Sequence, residues 1–318
     1  KIRFGVLGLG TMGFLYARLA NQNPDVELVA ICDNDDEKLC EVGEHFPNTA
    51  KYTDLATMIN RSELEALGVI TPDFLHFEPV LLGVQHGLHL LIEKPLAMKV
   101  EEAKIMVEAI QSAGITCQIA YTNRWTPAYV AAKNLISSGQ IGKVSSINAR
   151  INNTISTPTK MLKWSERSSP AWFLMTHALD IARYFSGEEV TQVYAIGVKE
   201  KLVSMGIDAY DTIHALFNFS SGISVFIESC WTLPDSMPLI FDFKYEVIGT
   251  DSMLTIDTHD QGLHMATPER YNHPVSLLIN RYGKLTAHSQ AMFDSFFEAI
   301  QTRRRPIANE YDGLQAVL

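Results

Sequence analysis

Ile2-Arg3-Phe4-Gly5-Val6-Leu7-Gly8-Leu9-Gly10-Thr11-Met12-Gly13 decides the fold of this 318-residue chain. Ile2 to Leu7 is a short apolar strand, and Gly8-x-Gly10-x-x-Gly13 is a glycine turn. The first glycine permits the tight turn, the second lets a pyrophosphate approach the backbone, and the third lets a helix pack closely on the strand. That helix, roughly Thr11 to Asn21, aims unpaired N–H groups and about half a positive charge at the turn. Val26 to Cys32 is the next strand, and Asp33 closes it, 20 residues after Gly13. An acid there suits the hydroxyls of an adenosine ribose. Strand, loop, helix, strand and acid together predict a dinucleotide site formed by Gly8, Gly10, Thr11, Met12, Gly13 and Asp33. A strand-end Asp can also simply cap a turn.

Asp35, Asp36 and Glu37 follow closely. A dianionic 2′-phosphate would sit among these carboxylates, where a unit charge about 4 Å from another costs up to about 4 kcal/mol at an effective dielectric of about 20. A quarter of that is about fivefold in affinity. The expected cofactor is therefore NAD rather than NADP.

Composition narrows the class further. With 47% apolar and 19% charged residues, the chain can bury a sizeable core. Its length favours two domains. The net charge of −10 argues against nucleic acid, and the one basic cluster, Arg303-Arg304-Arg305, reads as charge at a helix C-terminus. No apolar run approaches membrane-spanning length, and the chain opens directly into a core strand without a basic, apolar leader. A cytoplasmic protein with no membrane partner is expected. Cys32, Cys40, Cys117 and Cys230 show no CxxC spacing, and the histidines form no HxxxH or HxH pair. Reduced thiols and no metal are expected.

Along the chain, helices are predicted at Glu37 to Phe46, Phe77 to His86 and Val100 to Ala113. They alternate with strands at Ala66 to Thr71, Leu88 to Ile92 and Ile115 to Ala120, and a loop leads from Tyr52 into a short helix near Ile59. Such alternation means a parallel sheet covered on both faces, with ligands beyond the carboxyl ends of its strands. Gly8, Asp33, Thr71, Glu93, Lys94 and Tyr121 map to those ends. Beyond residue 122 the pattern changes. Helices at Thr126 to Ser138 and Trp172 to Phe185 accompany strands at Val144 to Ile151, Val190 to Val198, Thr212 to Phe219, Ile223 to Trp231, Phe241 to Ile248 and Met253 to Ile256. Strands in succession predict a largely antiparallel sheet with helices on one face and a second copy covering the other. The domains are drawn at 1–122 and 123–318, with room for the last helix, Gln290 to Arg303, to pack back on the first.

Lys94 stands at the mouth of the parallel sheet, just past the run Leu88 to Ile92. Lysine ordinarily titrates near 10.4, so acid–base work at neutral pH needs surroundings that disfavour the ammonium. Partial burial and the positive ring of an oxidised nicotinamide both act that way. The plainer alternative is a pair with Glu93, though adjacent strand residues point to opposite faces. A cis bond before Pro95 would turn the lysine away from its strand. The helix Trp172 to Phe185 is apolar almost all round, and His177 and Asp180 interrupt it on one face. They need partners, either one another or a neighbouring backbone group.

Taken together, the glycine turn with Asp33, Thr71-Pro72 with His76, Glu93-Lys94-Pro95-Leu96, Asn123-Arg124-Trp125 and His177-Ala178-Leu179-Asp180-Ile181-Ala182-Arg183 resemble the glucose–fructose oxidoreductase / inositol dehydrogenase / MocA group. The resemblance implies an α/β protein, an N-terminal Rossmann doubly wound parallel sheet followed by a C-terminal α+β domain with a largely antiparallel, open-faced sheet. It implies hydride transfer from a secondary alcohol of a sugar, polyol or cyclitol to NAD(P), in a homodimer or homotetramer. Lys94 then matches the catalytic lysine and His177 a second acid–base residue. Asp180 matches a position that holds substrate hydroxyls. Arg124 falls at nicotinamide and substrate, Asn123 and Trp125 flank the cofactor, and Thr71, Pro72, His76 and Glu93 border it. Asn152, ending the second domain's first strand, is a further candidate for a hydroxyl.

One departure matters. Phe173 stands where the group usually has an Asp four residues before the His, and Arg167-Ser168-Ser169 replaces a glycine run. A phenyl ring neither relays a proton nor accepts a hydroxyl's hydrogen bond. Lys94 and His177 must then suffice, or the chemistry is a transient oxidation that breaks a C–O bond, or the protein is a non-catalytic dinucleotide sensor. Trp172 and Phe173 offer either a ring face for a sugar or core packing.

Overall fold

A computed structural model describes residues 1–258, 265–266, 271–272, 279–281, 284–286 and 288–318. It comprises two compact units, Lys1–Thr122 with Leu278–Leu318, and Asn123–Leu277.

In the first unit, β1 (Ile2–Leu7), α1 (Thr11–Gln22), β2 (Val26–Cys32), α2 (Asp36–Glu44), β3 (Ala50–Tyr52), α3 (Leu55–Ser62), β4 (Ala66–Val69), α4 (Phe77–Gln85), β5 (His89–Ile92), α5 (Val100–Ala113) and β6 (Cys117–Ile119) follow one another. The strands form a six-stranded sheet in the order β3-β2-β1-β4-β5-β6, parallel throughout. The strands are short and apolar because both faces are covered: Ala66, Leu67, Val69, Leu90, Leu91 and Ile92 are fully buried. The order reverses between β1 and β4, the place where ligands bind such sheets. The loop predicted around residue 52 instead carries β3, a three-residue edge strand too short and too exposed to show alternation. Asp35 and Asp54 start the next two helices by accepting backbone N–H bonds, and Gly114 ends α5 in the left-handed region.

Gly8 and Gly13 have no alternative. A Cβ on Gly8 would lie 2.4 Å from the carbonyl oxygen of Ile70, and one on Gly13 would lie 1.8 Å from that of Gly8. Around Gly10 the same test meets nothing within 4 Å. The turn is thus tight on the strand side and open on the other.

The second unit contains α6 (Pro127–Ser137), β7 (Val144–Asn153), a π-helical turn Ala171–Met175 running into α7 (Thr176–Ser186), β8 (Val190–Val198), α8 (Lys201–Ser204), β9 (Thr212–Phe219), β10 (Ser224–Cys230), β11 (Phe241–Gly249) and β12 (Met253–Asp257). Its sheet has the order β12-β11-β7-β10-β9-β8. The central β7–β10 pair is parallel and the others antiparallel. Alternating patterns do not encode direction, which is why the parallel pair was not legible in advance. Ile147, Ala149, Ile151, Val225, Ile227, Tyr245 and Val247 face Ala178, Ile181, Ala182 and Phe185 of α7 in one core.

The C-terminal helices α9 (His288–Thr302) and α10 (Glu310–Gln315) close the first unit. Phe293 and Phe297 meet Phe4 edge-on at centroid distances of 5.6 and 5.3 Å. The sequence boundary at 123–318 therefore assigned these residues to the wrong partner, apart from the helix it allowed to pack back; an amphipathic pattern shows that a helix has an apolar face and not which sheet receives it.

From the clash above, Gly13→Ala is expected to lower stability by about 1–3 kcal/mol, whereas Gly10→Ala should cost about 1 kcal/mol or less. Denaturant unfolding of the two variants measures the difference.

Candidate active site

The first unit gathers its polar residues at the carboxyl ends of the parallel strands. Helix α1 begins at Gly10, which offers no side-chain cap, and its first turn holds no acidic residue. A pyrophosphate would satisfy those open N–H groups and fill the space beside Gly10. Asp33 is fixed to the same turn: Oδ2 accepts the Leu9 N–H at 2.7 Å and Oδ1 that of Asp35 at 3.0 Å. It is buried, with Lys38 Nζ 3.6 Å away. Thus Asp33 ties β2 to the glycine turn, and Asp35 serves as the cap of α2. The residues present fit a dinucleotide.

Between β4 and β5, the His76 ring nitrogens lie 2.8 Å from the carbonyl oxygen of Pro95 and 3.0 Å from that of Thr71. His76 is buried, and it braces the Thr71-Pro72 turn against the segment after β5. That segment carries Glu93 and Lys94, both buried, and a cis bond between Lys94 and Pro95. Glu93 Oε1 accepts a 2.8 Å hydrogen bond from the Tyr16 hydroxyl, and Oε2 accepts the Lys94 N–H at 3.2 Å. Burial pushes the Glu93 carboxyl above its ordinary range, opposed by the charge of Lys94 and by the Tyr16 hydrogen bond. Burial also drives the Tyr16 phenol well upward, so it is a donor at any working pH.

The second unit holds a different cluster. Arg124, in the turn Thr122–Trp125, donates through Nε to Asp180 Oδ2 at 2.9 Å and through Nη2 to Oδ1 at 2.6 Å. Both residues are buried, and the guanidinium stands 4.9 Å from the centroid of the Tyr184 ring. Asp180 thus accepts with both oxygens from Arg124 and fixes the direction of the guanidinium. Trp172, Phe173 and His177 are half-buried where the helix leaves the π-helical turn. That turn packs on β7 and β10. Phe173 meets Trp164 and Trp231 edge-on at 6.2 and 5.9 Å, which is core packing among aromatics. Asn123 is buried at the start of this unit, with Trp125 half-buried beside it.

Asn152 donates to Glu228 Oε1 at 2.7 Å and shares strand parity with Arg150, on the face away from α7. Its neighbour Asn153 shares parity with Ile147, Ala149 and Ile151, on the face that α7 covers, and donates to the Ile240 carbonyl at 3.3 Å. Tyr16 was missed by the sequence reading, being one apolar-looking position among many in α1. Among the described residues no group of His, Cys, Asp and Glu could hold a metal, and no helix is long and apolar enough to cross a membrane.

A model of an oxidoreductase family with an NAD-binding Rossmann fold matches residues 2–121, and that family's C-terminal domain matches residues 129–255. The chain belongs to the GFO/IDH/MocA oxidoreductase family. Among GFO/IDH/MocA relatives, it is 29% identical to scyllo-inositol 2-dehydrogenase (NAD(+)) of Bacillus subtilis, over 81% of this chain and 74% of that protein. It is 26% identical to 2,7-anhydro-N-acetylneuraminate hydratase of Mediterraneibacter gnavus, over 69% of this chain and 62% of that one. The crystal structure of scyllo-inositol dehydrogenase from Lactobacillus casei with NAD(H) and scyllo-inositol has the same fold, with a TM-score of 0.85 at 19% identity, covering 100% of this chain and 94% of that one.

With Asp33 buried and only a half-exposed Lys38 to offset it, NAD should bind at least about fivefold more tightly than NADP. Calorimetric Kd values for the two dinucleotides check this, and equal values would contradict it.

Proposed function

We propose that this chain is an NAD-dependent dehydrogenase that oxidises a secondary alcohol of a sugar, polyol or cyclitol. The observation that supports it most is the buried Lys94, delivered at the carboxyl end of β5 in the same sheet, and at the same end, as the glycine turn and Asp33. Bound NAD supplies the hydride acceptor at its nicotinamide C4. Lys94 takes the hydroxyl proton as the alcohol is oxidised, and His177 assists. Arg124 and Asp180 bind the substrate, with Trp172 as a further contact; Asn152, on the sheet face away from α7 and bonded to Glu228, stands outside that group; Asn123 and Trp125 border the cofactor together with Thr71, Pro72, His76 and Glu93. The substrate is a polyhydroxy small molecule of the kind named for the scyllo-inositol relative.

A second reading has one observation in its favour. Phe173, packed between Trp164 and Trp231, supplies no carboxylate beside His177. In that reading NAD stays bound and a transient oxidation labilises a C–O bond, as the hydratase relative would suit, without net NADH. A dinucleotide sensor that has lost turnover shares the same feature, and the presence of Lys94 and His177 argues against it. A screen of polyols, aldoses and uronic acids for NADH fluorescence, with product analysis, separates the three. For the leading reading, Lys94→Ala should lower kcat by orders of magnitude and leave the NAD Kd nearly unchanged; unchanged turnover ends the proposal.

We also infer a cytoplasmic homodimer or homotetramer built on the second-unit sheet. Tyr194, Leu216 and Phe226 form one row across β8, β9 and β10 by strand register, and they are 70%, 43% and 37% exposed. An apolar row of this kind on an antiparallel sheet suits a second copy of the chain. Leu216→Glu should shift the protein to monomer in analytical ultracentrifugation.

A further inference from the structure

We infer that Tyr16 is a positioning residue for the reaction, a buried strut that joins the helix of the glycine turn to the lysine segment through the Glu93 carboxylate. The inference rests on the reading of Lys94 as the acid–base residue.

The geometry is specific. Tyr16 lies six residues after Gly10, on the helix that opens from the glycine turn. Its ring is fully buried and stacks on Phe293 at 5.9 Å, so its direction is set by packing on α9. Its hydroxyl ends on Glu93 Oε1 at 2.8 Å, and the other oxygen of the same carboxylate holds the Lys94 N–H. A charge-assisted hydrogen bond in a sealed site fixes its acceptor within a narrow range of positions. Tyr16 thus determines where the negative charge next to Lys94 stands.

The groups facing Glu93 come from three elements. Tyr16 approaches from α1, His76 from the end of the β4 turn, and Lys94 from its own segment. The charges of Lys94 and His76 and the Tyr16 hydrogen bond all favour the carboxylate, against burial, which opposes it. Losing the hydroxyl removes one favourable contribution and leaves the burial in place. Glu93 in Tyr16→Phe must therefore titrate at higher pH than in the native protein. The phenyl ring keeps the stacking on Phe293, so the fold should persist.

The experiment compares native protein, Tyr16→Phe, Glu93→Gln and Lys94→Ala, each saturated with NAD. The carbon-13 signal of the Glu93 side-chain carboxyl, assigned by its loss in Glu93→Gln, is followed against pH. Turnover is followed by NADH absorbance with the polyol or sugar that the native protein oxidises fastest. Tyr16→Phe should move the Glu93 titration to higher pH, move the acid limb of the kcat profile the same way, and lower kcat by about tenfold to a hundredfold. Its NAD Kd should stay within about twofold and its melting temperature near native. An unmoved carboxyl titration, or a moved one with native kcat, overturns the strut while leaving Lys94 standing. A kcat loss that Tyr16→Phe shares with a collapse in melting temperature and NAD binding also overturns it. Retained turnover in Lys94→Ala overturns the reading on which the strut depends.

Discussion

The close approach of α1 to the first turn is the constraint on which the rest of the first unit depends. Gly8 and Gly13 leave no room for a Cβ, and that intimacy points the open end of α1 across the carboxyl ends of the sheet. A helix terminus facing a gap with no acidic residue in its first turn is stable with an anion there and poorly satisfied without one. The same helix brings the Tyr16 hydroxyl to Glu93 just past β5, so the turn that suits pyrophosphate and the segment that carries Lys94 are joined by a direct hydrogen bond. Asp33 extends it by bonding Leu9 within the turn.

The second unit contributes chemistry of another kind. Arg124 and Asp180 form a buried, two-point ion pair, and such pairs cost desolvation that their mutual attraction only partly returns. Their value is orientation, since a guanidinium held at two points and lying 4.9 Å from the Tyr184 ring centroid is fixed in one direction. Phe173 works oppositely: edge-on contacts with two tryptophans stabilise the helix start by packing, where a carboxylate would have offered acid–base chemistry.

Much of this was readable from residues alone because the signals were local. The glycine turn, Asp33, the strand that ends in Glu93-Lys94 and the polar interruptions of α7 are each fixed by spacing within a few residues. What escaped reading depends on contacts distant in sequence. Tyr16 meets Glu93 across 77 positions, and Asp180 meets Arg124 across 56. The parallel β7–β10 pair and the docking of α10 on the first unit are likewise choices among partners that an amphipathic pattern leaves open, whereas the packing of α9 there was allowed for.

Hydride movement from carbon to nicotinamide is the claim that can be met most directly. The purified protein is incubated with NAD and with inositols and sugars deuterated at their carbinol carbons, and the recovered cofactor is weighed by mass spectrometry. The account predicts reduced NAD one deuterium heavier, formed in step with one ketone product. Cofactor that never takes up deuterium, while the alcohol is consumed or left untouched, would contradict it.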